Sequence, residues 1–222
     1  MRIAISQRIV ENQSYVEFRD ALAHDWATWV EKIFPQAALI AIPNHPGSIK
    51  DWWLAASPDL LILSGGNNWA EFRDRDDTES LAVSLARKSS IPIVGVCRGL
   101  QGLNMMLGGS IQNDITSFST ERHVAADHRV SIFEKAFLDI AKTETLTVNS
   151  FHDQGVLLTD LAPELKAFAL ADGDIVEGLF HMEEPILAVQ WHPERLIRSQ
   201  GFDMSIIRNL YNCGAFWKKG QE

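Results

Sequence analysis

Short apolar runs alternate with amphipathic stretches along this chain. Ile3-Ala4-Ile5, Leu39-Ile40-Ala41-Ile42, Leu60-Leu61-Ile62-Leu63 and Ile91-Pro92-Ile93-Val94-Gly95-Val96 are apolar at consecutive positions, as strands covered on both faces must be. Between them, Phe18, Leu22, Trp26, Trp29, Val30 and Ile33 recur at spacings of three and four, which predicts one helix through all six. Ser48 to Ala56 reads as a short helix with Ser48 as its cap. Asp76 and Glu79 form a D-x-x-E start signal, and Leu81, Ala82, Leu85 and Ala86 then share a face. Arg98 to Leu107 reads as a helix stopped by Gly108-Gly109. Strands alternating with helices predict an α/β fold on a mostly parallel sheet.

The second half carries more β signal. Leu146-Thr147-Val148, Ala167 to Leu170, Ile175 to Leu179 and Ile186 to Val189 are strand candidates, and Ile206, Ile207, Leu210 and Tyr211 line one side of a closing helix. This adds a small antiparallel portion to the parallel sheet. No repeat or linker interrupts the 222 residues, so residues 1–222 read as one domain.

Composition narrows the function classes. A net charge of −9 argues against a broad nucleic-acid surface, which needs excess Lys and Arg. Two cysteines, Cys97 and Cys213, exclude a disulfide framework. No run of 18 apolar residues spans a bilayer, and Met1 to Ser6 enters a strand pattern without a signal peptide's apolar region, so the expectation is a cytoplasmic protein without a membrane partner. The seven tryptophans are scattered and read as core or helix anchors.

The chemistry concentrates at Gly95-Val96-Cys97-Arg98-Gly99-Leu100-Gln101, between a buried strand and a helix. That is the setting of a nucleophile elbow, written G-x-C-x-G. Its glycines permit a sharp turn, the helix N-terminus favours the thiolate of Cys97, and the backbone N–H of Arg98 falls where an oxyanion would form. A lone cysteine is more often a buried structural residue, and it becomes a nucleophile only with a base nearby. Gln190-Trp191-His192-Pro193-Glu194 supplies one. Residues two apart in extended backbone project to one side, so Glu194 can orient His192.

G-V-C-R-G-L-Q, the following L-N-M-M-L-G-G-S-I-Q-N-D-I and the later Q-W-H-P-E resemble the class I glutamine amidotransferases. Thr147 to Val156 (T-V-N-S-F-H-D-Q-G-V) resembles their stand-alone γ-glutamyl hydrolase branch, including the γ-glutamyl-γ-aminobutyrate hydrolases. The resemblance implies a flavodoxin-like three-layer sandwich and a Cys97–His192–Glu194 triad. It implies an oxyanion hole from the N–H groups of Gly66 and Arg98, and substrate contacts from Gln101, Asn149, Ser150, Phe151 and His152. A narrower resemblance, carried by Ile5-Ser6-Gln7-Arg8, Asn12, Tyr15, Arg19-Asp20-Ala21-Leu22 and Leu63 to Asn68, is to the γ-glutamyl-CDP-amidate hydrolases of bacterial capsular phosphoramidate synthesis. An arginine at Arg8 would lie at the crevice edge and could pair with a phosphate; the alternative for Arg8 and Arg19 is a salt bridge. The chain is short between Ile115 and Leu146, and there His123 and His128 read as surface residues, with no metal spacing among the histidines.

The expected activity is a cysteine hydrolase that cuts the γ-glutamyl amide of a small molecule through a thioester, with no cofactor and no metal. Two alternatives stand beside it: a glutaminase subunit passing ammonia to a partner synthase, and a catalytically silent binding protein on the same fold.

Overall fold

The computed structural model describes residues 1–195 and 199–218. In chain order its elements are β1 (Arg2–Ile5), β2 (Arg8–Glu11), β3 (Phe18–Ala21), α1 (Asp25–Ile33), β4 (Ala38–Ala41), α2 (Ile49–Ala56), β5 (Leu60–Leu63), α3 (Arg73–Lys88), β6 (Ile93–Val96) and α4 (Arg98–Met106). There follow β7 (Val124–Ile132), α5 (Lys135–Ala141), β8 (Thr145–Phe151), β9 (Leu165–Ala171), β10 (Ile175–His181), β11 (Ile186–Val189) and α6 (Gln200–Cys213).

Nine strands form one sheet in the order β4-β1-β5-β6-β11-β10-β9-β7-β8. The first five are mutually parallel, and their order is that of flavodoxin-like sheets. Alternation along β1 shows how the layers form. Ile3 and Ile5 join the core beneath Trp26, Trp29 and Ile33 of α1 and Ile206 of α6. Ala4 faces the other way, into the core built with Trp53 of α2, Ala82 and Ala86 of α3 and Leu103 of α4. Helices therefore cover both faces of the parallel part of the sheet, which is why its central strands β5, β6 and β11 are apolar and buried at every position.

The antiparallel strands expected in the second half extend this same sheet through β10, β9, β7 and β8. A second, two-stranded sheet comes from β2 and β3. It corrects the helix expected from Phe18: only Asp25–Ile33 is helical, and Phe18 lies on a strand, 57% exposed. The spacing of Phe18 and Leu22 matches the helix behind them, but Phe18 pairs with Glu11 of the hairpin and meets the Phe72 ring, while Leu22 packs against the core from just beyond β3.

Two cap expectations also change. Ser48 precedes α2, but its hydroxyl lies 3.1 Å from the His45 ring and makes no cap bond. Helix α3 starts at Arg73, and Asp76 and Glu79 are buried inside it, bound to arginines. Of the tryptophans, Trp26, Trp29, Trp53, Trp191 and Trp217 are buried.

Candidate active site

The loops that leave β1, β5, β6 and β11 at their C-terminal ends converge at one edge of the sheet, the place where open parallel sheets bind ligands. At the end of β6 the chain turns sharply into α4. Cys97 stands at that turn with φ 54° and ψ −106°, a conformation costly for a residue with a Cβ. Its N–H is held by the Val189 carbonyl at 2.8 Å, and its own carbonyl accepts from Leu100 at 3.0 Å. The turn closes only because Gly99 has no side chain, since a Cβ there would sit 2.3 Å from the Leu63 carbonyl oxygen.

His192 follows β11 and reaches the same edge. Its Nδ1 lies 2.7 Å from Oε1 of Glu194. On the other side, His192 and Cys97 face the same pocket and both border Gly65, near enough for each to act on the other's charge. Burial alone would push the Cys97 thiol up, but His192 outweighs it and holds the thiol below its ordinary value. Burial likewise opposes the imidazolium, and Cys97 and Glu194 outweigh it, raising His192 to about 9. At neutral pH this favours a thiolate–imidazolium pair. The amide of Gln190, which begins the Q-W-H-P-E segment and carries no expected role, approaches the sulfur at 3.6 Å.

The Ser64-Gly65-Gly66 loop packs against this pair. A Cβ on Gly65 would lie 2.8 Å from Cε1 of His192 and 3.4 Å from Cβ of Cys97. From the other side the buried Arg75 donates to the carbonyls of Ser64 (2.9 Å), Gly65 (3.2 Å) and Gly66. Arg75 is bonded to Glu79 at 3.0 Å, and Glu79 with Asp76 also binds the guanidinium of Arg98. The loop and the elbow are thus tied through a buried ionic network. Asp76 and Glu79, expected as a helix start, instead bind arginines from within α3; their spacing of three, which aligns both on one helical face, is the sequence signal for this.

Arg8, Gly66, Cys97, Gln101, His152 and His192 are among the residues lining a pocket of about 250 Å³. Phe151 lines it too, with its ring edge-on to His192 and the Arg195 guanidinium 4.0 Å above it. Gln101 has its amide N–H bonded to the Gln154 carbonyl at 2.9 Å. Two expected substrate contacts are spent elsewhere. Asn149 accepts from the His192 N–H at 2.8 Å and donates to the His192 carbonyl at 2.9 Å, clamping the backbone of that residue. Ser150 donates to the His123 carbonyl at 2.6 Å. Arg19 points to Glu17 and the Tyr15 hydroxyl on the exposed hairpin.

His123 and His128 are not surface residues. They are 6% and 4% exposed and gather with His152 around the fully buried Glu177. The antiparallel extension brings them inside, and four positions spread over residues 123–177 leave no motif from which to expect it.

A family model described as Peptidase C26 matches residues 3–194. The chain is 28% identical over 208 residues to a γ-glutamyl-CDP-amidate hydrolase of Campylobacter jejuni, covering 88% of this chain and 90% of that one. It is 28% identical over 191 residues to a γ-glutamyl-γ-aminobutyrate hydrolase of Escherichia coli, covering 78% and 71%. Among solved structures, the glutaminase domain of Trypanosoma brucei CTPS, with bound acivicin, has the same fold at a TM-score of 0.69 and 18% identity, covering 95% of this chain and 93% of that one. Among the described residues, no helix is long and apolar enough to cross a membrane.

Proposed function

We propose, from the premise that the chain belongs to the Peptidase C26 family, that it is a cysteine hydrolase of γ-glutamyl amides with Cys97, His192 and Glu194 as its triad. Family and relatives support the coarser statement, an amide-bond hydrolase of the γ-glutamyl hydrolase or glutamine amidotransferase-like kind. The observation that carries the finer one is the strained Cys97 paired with His192, whose Nδ1 is 2.7 Å from Glu194.

In this reading the Cys97 thiolate attacks the γ-carbonyl carbon. The N–H groups of Gly66 and Arg98 stabilise the tetrahedral oxyanion. His192, held by Glu194, gives its proton to the departing nitrogen and then takes one from water as the thioester is hydrolysed to glutamate. Asn149 keeps the His192 backbone in register.

For the leaving side, the narrow candidate is γ-glutamyl-CDP-amidate. Arg8 and Arg195 both line the pocket, and guanidinium groups there suit a phosphate-bearing product. The relative that carries this name is matched over most of both chains.

The test is a panel of γ-glutamyl amides that includes glutamine, γ-glutamyl-aminobutyrate and γ-glutamyl-CDP-amidate, assayed for glutamate release. The nucleotide substrate is expected to give the highest kcat/KM, and Cys97→Ala none. Glutamate release by Cys97→Ala equal to that of the parent, or none from any amide, would overturn the reading. A partner-dependent glutaminase activity exceeding all hydrolase activity would move the chain to the synthase-subunit class.

A further inference from the structure

Behind the pocket lies a second cluster that the proposed reaction does not use. Glu177 of β10 is fully buried, and three histidines from other segments point at its Oε1: His128 Nε2 at 3.2 Å, His152 Nε2 at 3.5 Å and His123 Nδ1 at 3.8 Å. Ligand atoms of His123, His152 and Glu177 all lie within 4.8 Å of one another.

These groups are not satisfied by one another. Both ring nitrogens of His123 and His128, Nε2 of His152 and both oxygens of Glu177 are buried without a hydrogen-bond partner among the described residues. Buried polar atoms are otherwise almost always paired, so seven unpaired ones gathered in a single cluster mark a place for a partner that the side chains themselves do not supply. The His152 and His123 separations from Oε1, 3.5 and 3.8 Å, are longer than hydrogen bonds. Bonds of 2.0–2.1 Å to a tetrahedral ion place neighbouring ligand atoms about 3.3–3.4 Å apart, so a small inward movement of the two rings would complete coordination.

The backbone is shaped to the same end. In the β9–β10 pairing the register shifts between Val176 and Gly178, leaving Glu177 as an extra residue in a bulge. Bulges re-aim a side chain at the cost of ladder pairing. The histidines come from three further places: the segment before β7, β7 itself and the residue after β8.

We propose that His123, His152 and Glu177 bind one divalent transition-metal ion of the zinc class, with His128, 3.2 Å from Oε1, holding the carboxylate. Two imidazoles and a carboxylate are the ligand set such ions favour over Mg²⁺ or Ca²⁺. The ion would staple the segments around β7, β8 and β10 together. His152 belongs to both places, since it lines the pocket and lies against the Gln154 carbonyl at 3.0 Å, the same carbonyl that holds Gln101. The site's role is therefore to position the pocket wall. The inference stands whether or not the pocket hydrolyses a γ-glutamyl amide.

The experiment uses the full chain carrying Cys97→Ala, so that the thiol cannot itself take metal. The protein is stripped with a chelator and titrated with Zn²⁺ against a competing chromophoric chelator, with Tm recorded alongside, and Co²⁺ is substituted for visible spectroscopy. One equivalent of Zn²⁺ per chain, a rise in Tm and tetrahedral Co²⁺ bands without a sulfur charge-transfer band are expected. His123→Gln and Glu177→Gln should each weaken Zn²⁺ binding at least tenfold, the order of loss seen when a metal site is disturbed. No stoichiometric binding by the parent, or undiminished binding in both variants, would overturn the site. Should Glu177→Gln not fold, the parent titration and His123→Gln decide it.

Discussion

Arg75 donates through Nη2 to the carbonyl oxygen of Gly65 at 3.2 Å. The Gly65–Gly66 peptide is trans, so the N–H of Gly66 points away from Arg75. One buried guanidinium thereby sets the direction of the N–H proposed as an oxyanion donor. Glu79 holds that guanidinium and also the side chain of Arg98, whose own N–H is the proposed second donor.

Arg75→Lys should consequently lower kcat by about ten- to a hundredfold with a smaller change in KM. A lysine keeps a positive charge near Glu79 but cannot span three carbonyls as the planar guanidinium does. The upper end corresponds to losing one oxyanion donor. Steady-state kinetics on the best substrate, with far-UV circular dichroism as a fold control, checks this; a change confined to KM would remove Arg75 from the oxyanion argument. Glu79→Gln should be worse for stability, since it leaves two buried arginines short of a carboxylate, at a cost of roughly 3–5 kcal/mol.

How far the chain could be read in advance follows from where each signal lies. The parallel strands and the elbow were legible because each is written in consecutive residues: Leu60 to Leu63 for β5, and Gly95 to Gln101 for the turn into α4. The network of Arg75, Asp76, Glu79 and Arg98 was not, because charge in a helical stretch reads as solvated surface until packing shows otherwise. The β2–β3 hairpin was lost to a helix because Phe18 and Leu22 happen to continue the spacing of Trp26 and Trp29. Glu177 and its histidines meet only after β7, β8 and β10 have paired, so no local pattern records them.

Asn149 provides a sharp test of role. The resemblance implies that it binds the glutamyl head group, whereas both polar atoms of its amide are bonded to the His192 backbone. Asn149→Ala should lower kcat with KM nearly unchanged, because it frees the base without touching the substrate. A large rise in KM at constant kcat would restore the substrate-binding role.

The pH dependence of kcat/KM reports the Cys97–His192 pair. The rising limb marks formation of the thiolate and should lie below the ordinary thiol range, since the thiol is depressed. The falling limb marks loss of the imidazolium and should lie near pH 9. Glu194→Gln removes one of the charges that raise His192, so its falling limb should move to lower pH. A limb that stays in place would show that Glu194 does not act on His192.

Cys97 carries its strain whatever its side chain does chemically. Cys97→Ala should abolish turnover and keep the fold, but alanine still pays for φ 54°. Cys97→Gly should exceed Cys97→Ala in stability by about 1 kcal/mol, because glycine adopts this backbone without a Cβ clash. Urea denaturation of the two variants gives the comparison directly, and equal midpoints would mean that the turn is unstrained.

Asp203 of α6 couples stability to pH in the sense opposite to most carboxylates. It is fully buried, accepts from Trp191 Nε1 at 2.9 Å and Ser199 Oγ at 3.0 Å, and burial raises it to about 7 despite those bonds. An unfolded aspartate ionises near 3.8. Between these values the native state holds a proton that the unfolded state has released, so unfolding free energy falls as pH rises. Asp203's contribution is full below about pH 4, declines through the interval and is gone above about 7, a loss of a few kcal/mol at about 1.4 kcal/mol per pKa unit. Asp203→Asn, which stays neutral throughout, should flatten that slope while leaving stability at low pH nearly unchanged. Denaturant unfolding of both proteins at a series of pH values measures it, and parallel pH curves for parent and variant would place the proton elsewhere.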